Sequence, residues 1–196
     1  MTTLQKYFNT VAENYAKSNN FFPLRIIKNH EYNILTKFIN KKKFSNSIEL
    51  GCGSGFYTKF IKKITENKFY VTDISKKMLD QIKDNSIIKI NNKLENCKIT
   101  CRFDLVVIAG VLEFMINYEK LFRKINLITK KKTILLILLP KKNLFNYFYY
   151  LYYFVKNIKI KLHAANDLIN YLKLYNFYLK YKKNSLFSVI YLFEKK

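Results

Sequence analysis

The sequence predicts a three-layer α/β/α domain built on a seven-stranded, mostly parallel sheet that finishes in an antiparallel C-terminal hairpin. Three observations carry that prediction. Apolar runs of strand length alternate with helical patterns, a glycine-rich turn follows the first such run, and two strand-like runs close the chain around Asn184-Ser185.

Residues 1–40 read as two amphipathic helices separated by Pro23, with Phe8, Val11 and Tyr15 on one face and Ile27, Ile34, Leu35 and Phe38 further on. Arg25, His30 and Glu31 are the polar groups there that a substrate would meet. The first strand ends in Ile48-Glu49-Leu50. Gly51-Cys52-Gly53-Ser54-Gly55 is the turn, and Phe56, Phe60 and Ile64 then recur at helical spacing. Three of the four glycines of the chain stand at alternate positions of this turn. Glycine takes φ > 0 and lets a ligand lie against the backbone, and the next helix offers its free N–H groups to that ligand. The turn is therefore either a cofactor seat or a tight structural turn. A dinucleotide seat, G-x-G-x-x-G, would need its third glycine where Phe56 stands. Glu49 would also repel a pyrophosphate. A ligand with a cationic end, such as the ammonium of a methionine moiety, suits that carboxylate.

Residues 68–73 form the second predicted strand, which ends on Asp73, one strand–helix–strand unit beyond the turn. Both strand ends thus meet at the same edge of a parallel sheet. A helix holding Met78 and Leu79 follows, then a third strand over 86–91 with Asn92 just beyond it. Residues 103–109 are a continuous apolar run, the pattern of a strand buried on both faces. A helix over 118–129 and a fifth strand over 133–139 complete the parallel part. Residues 144–155 are dense in phenylalanine and tyrosine; this insertion reads as a substrate cover, an interfacial helix with tyrosines at headgroup level, or extra core. Leu168, Leu172 and Tyr175 mark a last helix, and 177–183 with 186–193 form the hairpin. The expectation is one domain over 1–196. Its parts are a helical N-terminal cover over 1–40, a cofactor-binding core over 45–140, the aromatic insertion or lid over 141–165, and the final helix and hairpin over 166–196.

Composition bounds the partners. A formal net charge of +23 would ordinarily point to nucleic acid or an anionic membrane. Only Arg25, Arg102 and Arg123 among the 36 basic residues are arginine, the residue that bidentate phosphate recognition favours. Lysine, asparagine, isoleucine, phenylalanine and tyrosine dominate, all with codons rich in A and T, so a base-composition bias accounts for the charge better than a nucleic-acid surface does. Cys52, Cys97 and Cys101 cannot pair completely and no signal peptide is evident, so a reduced cytoplasmic setting is expected. Cys97-x-x-x-Cys101 would be half a zinc site with only His30 and His163 to complete it, and no metal is expected. The longest apolar runs are too short to cross a bilayer.

Glu49-Leu50-Gly51-Cys52-Gly53-Ser54-Gly55 resembles the E-x-G-x-G-x-G motif of class I S-adenosylmethionine-dependent methyltransferases. Thr72-Asp73-Ile74-Ser75-Lys76-Lys77-Met78-Leu79 is similar to the D-[IL]-S-x-x-M-L element of that family. Residues 103–114 are similar to its F-D-x-V-x-x-x-x-V-L-E-H element, with Phe114 in the place of the histidine. The resemblance covers 45–140 and implies a Rossmann-like fold with S-adenosylmethionine as cofactor. It implies cofactor contacts from Glu49, Gly51, Cys52, Gly53 and Gly55, with Asp73 on the ribose hydroxyls and Ile74 and Met78 flanking the adenine. Asn92 stands where relatives often carry the acid that accepts from the adenine amino group, and Ala109 and Gly110 are small where the methionine chain would pass. The implied reaction is methyl transfer to a small molecule at oxygen, and the aromatic insertion points to an apolar or aromatic acceptor. The family's [DNS]-P-P-[FYW] element for base amino groups is replaced here by Ala109-Gly110-Val111-Leu112. Two other readings stand: an RNA methyltransferase, on net charge, and a cofactor-binding module without activity, on Phe114 and Asn92. His30, Glu31 and His163 are unranked candidates for a general base, and peripheral membrane contact is the other use of the insertion. Neither the catalytic residues nor the oligomeric state is legible.

Overall fold

The computed structural model describes residues 1–18, 22, 24–39, 41–115, 117–141, 144–161 and 163–196. Pro23, expected to part the first two helices, lies outside the described residues. Seven strands form one sheet: β1 (Phe44–Leu50), β2 (Thr65–Thr72), β3 (Ile88–Ile90), β4 (Phe103–Ala109), β5 (Thr129–Pro140), β6 (Phe177–Asn184) and β7 (Ser188–Lys195), in the order β3-β2-β1-β4-β5-β7-β6. The first five are parallel, β7 runs antiparallel to β5, and β6 antiparallel to β7. The expected architecture is the one observed.

Period-two alternation sorts the strand residues between two cores. Leu105, Val107, Leu136 and Leu138 face one side of the sheet, where they pack with Leu35 and Ile39 of α2 (Leu24–Ile39) and Phe60 and Ile61 of α3 (Thr58–Lys63). Val106, Ile108, Leu135 and Ile137 face the other, against Phe122 and Ile125 of α5 (Glu119–Ile128) and Leu168 and Leu172 of α7 (Ala165–Lys173). At about 1.5–3 kcal/mol for each fully buried large apolar side chain, these two layers dominate the stability. The short surface ion pair between Arg123 and Glu119, both well exposed, contributes little beside them.

Register sets the working edge of the sheet. Leu50 pairs with Thr72 on one side and Ile108 on the other, so β1, β2 and β4 end level and deliver Gly51, Asp73 and Gly110 to one place. Three segments cover that edge: α1 (Thr3–Ser18), α4 (Lys76–Leu79) and α6 (Leu144–Val155). Some boundaries differ from expectation. The helix after the glycine turn begins at Thr58 and is only six residues long, leaving Phe56 in the turn. The fifth strand starts at Thr129, and Lys132, at a left-handed φ of 65°, falls where the ladder to β4 shifts register between Phe103 and Leu105. Among the described residues no helix is long and apolar enough to cross a membrane.

Candidate active site

The glycine turn is held by backbone geometry. Gly51, Gly53 and Gly55 have φ of 63°, 54° and 88°, the region that side chains other than glycine rarely enter. Contact separates their roles. A Cβ on Gly51 would stand 2.2 Å from Val111 Cγ2, and one on Gly55 would stand 2.9 Å from Ile82 Cγ1. At Gly53 the nearest atom is Cε1 of Tyr15, 3.7 Å away. Gly51 and Gly55 are thus required by the protein's own packing, whereas Gly53 leaves backbone facing the ring of Tyr15 on α1.

Asp73 locks this turn to the end of β2. One carboxylate oxygen accepts from the Gly53 N–H at 2.9 Å and the other from the Ser75 N–H at 2.8 Å. The Asn91 amide adds a bond to the Asp73 carbonyl at 3.0 Å. Burial raises the Asp73 pKa, and the N–H groups of Ser75 and Gly53 oppose that shift. Two acceptor oxygens have more lone pairs than two N–H groups use, so the carboxylate keeps capacity for hydroxyl donors. Ser75 caps α4 by accepting from Met78 N–H, and its own hydroxyl donates to Asn9 of α1 at 2.7 Å. Gln5 bonds the Ile74 carbonyl at 2.9 Å and Gln81 the Ala12 carbonyl at 2.6 Å. α1 is thereby fastened over the ends of β1 and β2.

Glu49 is buried beneath the turn and accepts from the Thr58 hydroxyl at 2.7 Å. Burial pushes its pKa up to about 8, with the Thr58 hydrogen bond opposing and the Asp73 charge adding to the shift. Such a carboxyl gains most from a cation placed beside it. Cys52 is buried next to these acids, and burial holds its thiol well above the usual range. Ile74 is half-buried, Met78 is buried in the α4 packing, Ala109 is half-buried and Gly110 exposed. Asn92 is exposed, and its side-chain oxygen accepts from the Lys93 N–H at 2.8 Å, so it is turned onto its own loop. The edge thus gathers Glu49, the three glycines, Cys52, Asp73, Ile74, Ala109 and Gly110, with Asn92 directed elsewhere.

The opposite wall is aromatic. Phe8 of α1 meets Phe114 edge-on at 5.4 Å, Phe114 meets Tyr153 of α6 at 5.1 Å, and Tyr153 meets both Tyr7 and Tyr149. The hydroxyls of Tyr7 and Tyr152 are 3.0 Å apart. A cavity of about 300 Å³ opens beside this wall, lined by Glu113, Tyr150, Phe154, Ile158 and the 159–161 segment.

The three candidate bases are each engaged elsewhere. His30 is exposed and bonds Ser185 in the β6–β7 turn at 2.8 Å. His163 stacks edge-on against Tyr118, and its Nε2 lies 2.8 Å from the Leu112 carbonyl and 3.1 Å from that of Met115. Glu31 is buried, paired with Lys28 at 3.2 Å, and accepts from the Tyr57 hydroxyl at 2.8 Å. Burial works to lower the Lys28 pKa, but Tyr57 and Glu31 beside it prevail and raise it. Glu113, not singled out from the sequence as a site residue, is buried with one carboxylate oxygen unbonded among the described residues.

A glycine turn at the carboxyl end of the first parallel strand and an acid at the end of the second place a ligand seat at the working edge of a Rossmann-like sheet. Residues 48–137, which contain the turn and most of the parallel sheet, match the family described as methyltransferase domain. Solved structures extend the likeness of fold to nearly the whole chain. Magnesium protoporphyrin IX methyltransferase from Synechocystis PCC 6803, solved with bound S-adenosylhomocysteine, aligns with a TM-score of 0.74 at 14% identity over 98% of each chain. The N-methyltransferase NodS from Bradyrhizobium japonicum WM9 aligns at 0.68 and 13% identity, over 88% of this chain and 87% of that one. An S-adenosylmethionine-dependent methyltransferase from Clostridium acetobutylicum ATCC 824 aligns at 0.68 and 14%, over 93% and 98%. No curated protein sequence matches the chain.

Proposed function

We propose that the chain is an S-adenosylmethionine-dependent methyltransferase that acts on a small molecule at oxygen. The observation that carries this reading is the seat at the sheet edge, where Asp73 holds the Gly53 N–H of a left-handed glycine turn, the Tyr15 ring covers that turn at van der Waals distance, and buried Glu49 is held by Thr58. These groups fit the cofactor. The raised Glu49 carboxyl suits the cationic methionine end, Asp73 keeps lone pairs for the ribose diol, and Gly51, Gly53, Gly55 and Cys52 line the backbone between them. Ile74 and Met78 would flank the adenine, with Asn92 reaching it only by leaving Lys93. Ala109 and Gly110 would border the methionine chain. The bound cofactor supplies an activated methyl group, so the protein's task is to hold the acceptor in line and keep water out.

The aromatic wall of Phe8, Phe114, Tyr149 and Tyr153 favours an apolar or aromatic acceptor, and α6 with α1 makes the cover. A second contact is favoured by the outer face of α6, where Phe148 and Val155 are each more than 60% exposed and Lys156 follows. That face suits the surface of an anionic bilayer. S-Adenosylhomocysteine should bind and raise the melting temperature by linkage, whereas NAD should not. Stabilisation by NAD alone would overturn the cofactor assignment, and co-sedimentation with anionic vesicles tests the second contact.

A further inference from the structure

The chain carries 13 acidic residues against 36 basic ones, yet four of those acids are buried: Glu49, Asp73 and Glu113 at or just beyond the carboxyl ends of β1, β2 and β4, and Glu31 on α2. Burying a carboxylate is costly unless it is paired. Lys28 and Tyr57 satisfy Glu31, Thr58 bonds Glu49, and two backbone N–H groups bond Asp73. Glu113 differs. Its residue is 3% exposed, its Oε1 receives only a long bond of 3.3 Å from the Tyr149 hydroxyl, and its Oε2 has no partner among the described residues.

Position explains what that oxygen is for. Glu113 sits in the 3₁₀ turn Leu112–Phe114 that follows Gly110, and its Oε1 is 3.7 Å from where a Cβ on Gly110 would be. The turn is fixed from outside by Lys161 N–H, which donates to the Glu113 carbonyl at 2.6 Å, and by His163 at Leu112 and Met115. The neighbouring ring of Phe114 belongs to the aromatic wall. The site therefore combines aromatic surface, a rigidly placed carboxylate and a free acceptor lone pair, next to the small residues at the end of β4.

We propose that Glu113 is the acceptor-side base of this enzyme and that the acceptor is an aromatic hydroxyl, which arrives with its proton and gives it to Glu113 Oε2. The inference rests on the methyl-transfer reading above. In the step, the hydroxyl oxygen forms a C–O bond to the methyl carbon as the S–C bond breaks, and the sulfonium becomes a neutral thioether. The proton passes to Glu113 and later to water. A carboxylate acceptor is disfavoured, because it would bring a second negative charge against Glu113 with no proton to share.

The groups facing Glu113 agree with this role. Burial raises its pKa to about 7; its own backbone N–H, the Tyr149 hydroxyl and Lys28 oppose that shift, and Glu31 adds to it. Tyr15 and Tyr153 also feel its charge. A base poised near neutrality is the useful one at physiological pH.

The test uses the full chain, 4-methylphenol as probe, and 4-methylbenzoate and benzylamine as comparators. Wild type and E113Q should bind S-adenosylhomocysteine equally by calorimetry, which also shows that E113Q is folded. Failure of the wild type to bind it would sink the methyl-transfer reading itself. With labelled cofactor, methylation of 4-methylphenol should rise with pH through about 7 in the wild type and fall about 10²–10⁴-fold in E113Q. Independently of turnover, the Glu113 carboxyl resonance in ¹³C-glutamate-labelled protein, assigned by its loss in E113Q, should titrate near neutrality. It should shift when 4-methylphenol is added to the S-adenosylhomocysteine complex. A resonance unmoved by 4-methylphenol, E113Q turnover within threefold of wild type, or preferential methylation of 4-methylbenzoate or benzylamine would each overturn the proposal.

Discussion

The two halves of the candidate site are built by different means. The glycine-turn half is fixed by backbone: positive φ values, N–H groups on Asp73, and side chains packed against the turn at contact distance. The aromatic half is fixed by ring edges on α1, α6 and the 112–114 turn, with hydroxyl hydrogen bonds between Tyr7 and Tyr152 and, longer, from Tyr149 to Glu113. Backbone devices tolerate few substitutions, whereas ring contacts accept other apolar groups of similar volume at small cost. The first half suits a ligand that never changes, and the second a ligand specific to the enzyme.

The largest effect expected from that contrast is at Gly51. Gly51→Ala must place a side chain at φ 63° and within 2.2 Å of Val111, so it should cost at least about 3 kcal/mol of stability. Gly53→Ala shares the φ penalty without the clash and should cost about 1–2 kcal/mol. Urea unfolding of the two variants measures the difference; equal losses would mean that close packing at Val111 does not govern the turn.

Next comes pH. Both Glu49 and Glu113 have folded-state pKa values raised by burial, to about 8 and about 7. A raised carboxyl contributes stability that is fully present below its unfolded pKa, near 4.5, and is lost as pH rises through the folded value. Stability should therefore fall by roughly 6 kcal/mol from pH 5 to pH 9, with E49Q and E113Q each removing part of the slope. The two halves separate on adding ligand. S-Adenosylhomocysteine, with its ammonium near Glu49, should bind more tightly at pH 8.5 than at pH 6 and cancel the Glu49 part of the slope, leaving the Glu113 part. A slope unaffected by saturating ligand would place the ammonium elsewhere.

Asp73→Ala should weaken S-adenosylhomocysteine by about 1–3 kcal/mol, the cost of leaving ribose hydroxyls without their charged partner. Stability should also drop, by about 1 kcal/mol or more, because the Gly53 and Ser75 N–H groups lose their acceptor. Calorimetry and thermal unfolding read the two effects separately. Unchanged affinity with lowered stability would make Asp73 a structural clasp alone.

How much of this was legible follows the same division. The run from Phe103 to Ala109 could be bounded in sequence because, past the half-buried Asp104 near its start, a strand buried on both faces has no polar interruption. The glycine turn, Glu49 and Asp73 were legible because scarce residue types marked them. The start of α3 was missed because Phe56, Phe60 and Ile64 fit a helical period although Gly55, at φ 88°, keeps the chain in a turn as far as Tyr57. Lys130, Lys131 and Lys132 gave no apolar signal for the start of β5. Glu113 stood in a recognised motif, but that its second oxygen is unbonded among the described residues depends on elements distant in sequence, and no local pattern encodes that. Its one sequence signal was the glutamate itself, set between apolar Leu112 and Phe114 in a turn that burial had to cover.

The smallest effect distinguishes the two faces of α6. Tyr149 and Tyr153 point inward, toward Glu113 and Phe114, while Phe148 and Val155 are 67% and 69% exposed. Well-exposed side chains contribute little to folding, so Phe148→Ser with Val155→Ser should change stability by less than about 0.5 kcal/mol and leave S-adenosylhomocysteine affinity alone. Tyr149→Phe, which removes the hydroxyl from Glu113 Oε1, should cost about 1 kcal/mol and slow acceptor turnover at constant cofactor affinity. If α6 is a cover, the inward change acts on turnover and the outward pair does not. If its work is done on a lipid surface, the outward pair abolishes co-sedimentation with anionic vesicles, and the inward change leaves turnover in free solution untouched. The two faces lie on one helix, so each substitution controls for loss of the helix itself. Slowed turnover from the outward pair, with the helix intact by circular dichroism, would remove the distinction between the faces and with it the assignment of the inner one to the acceptor.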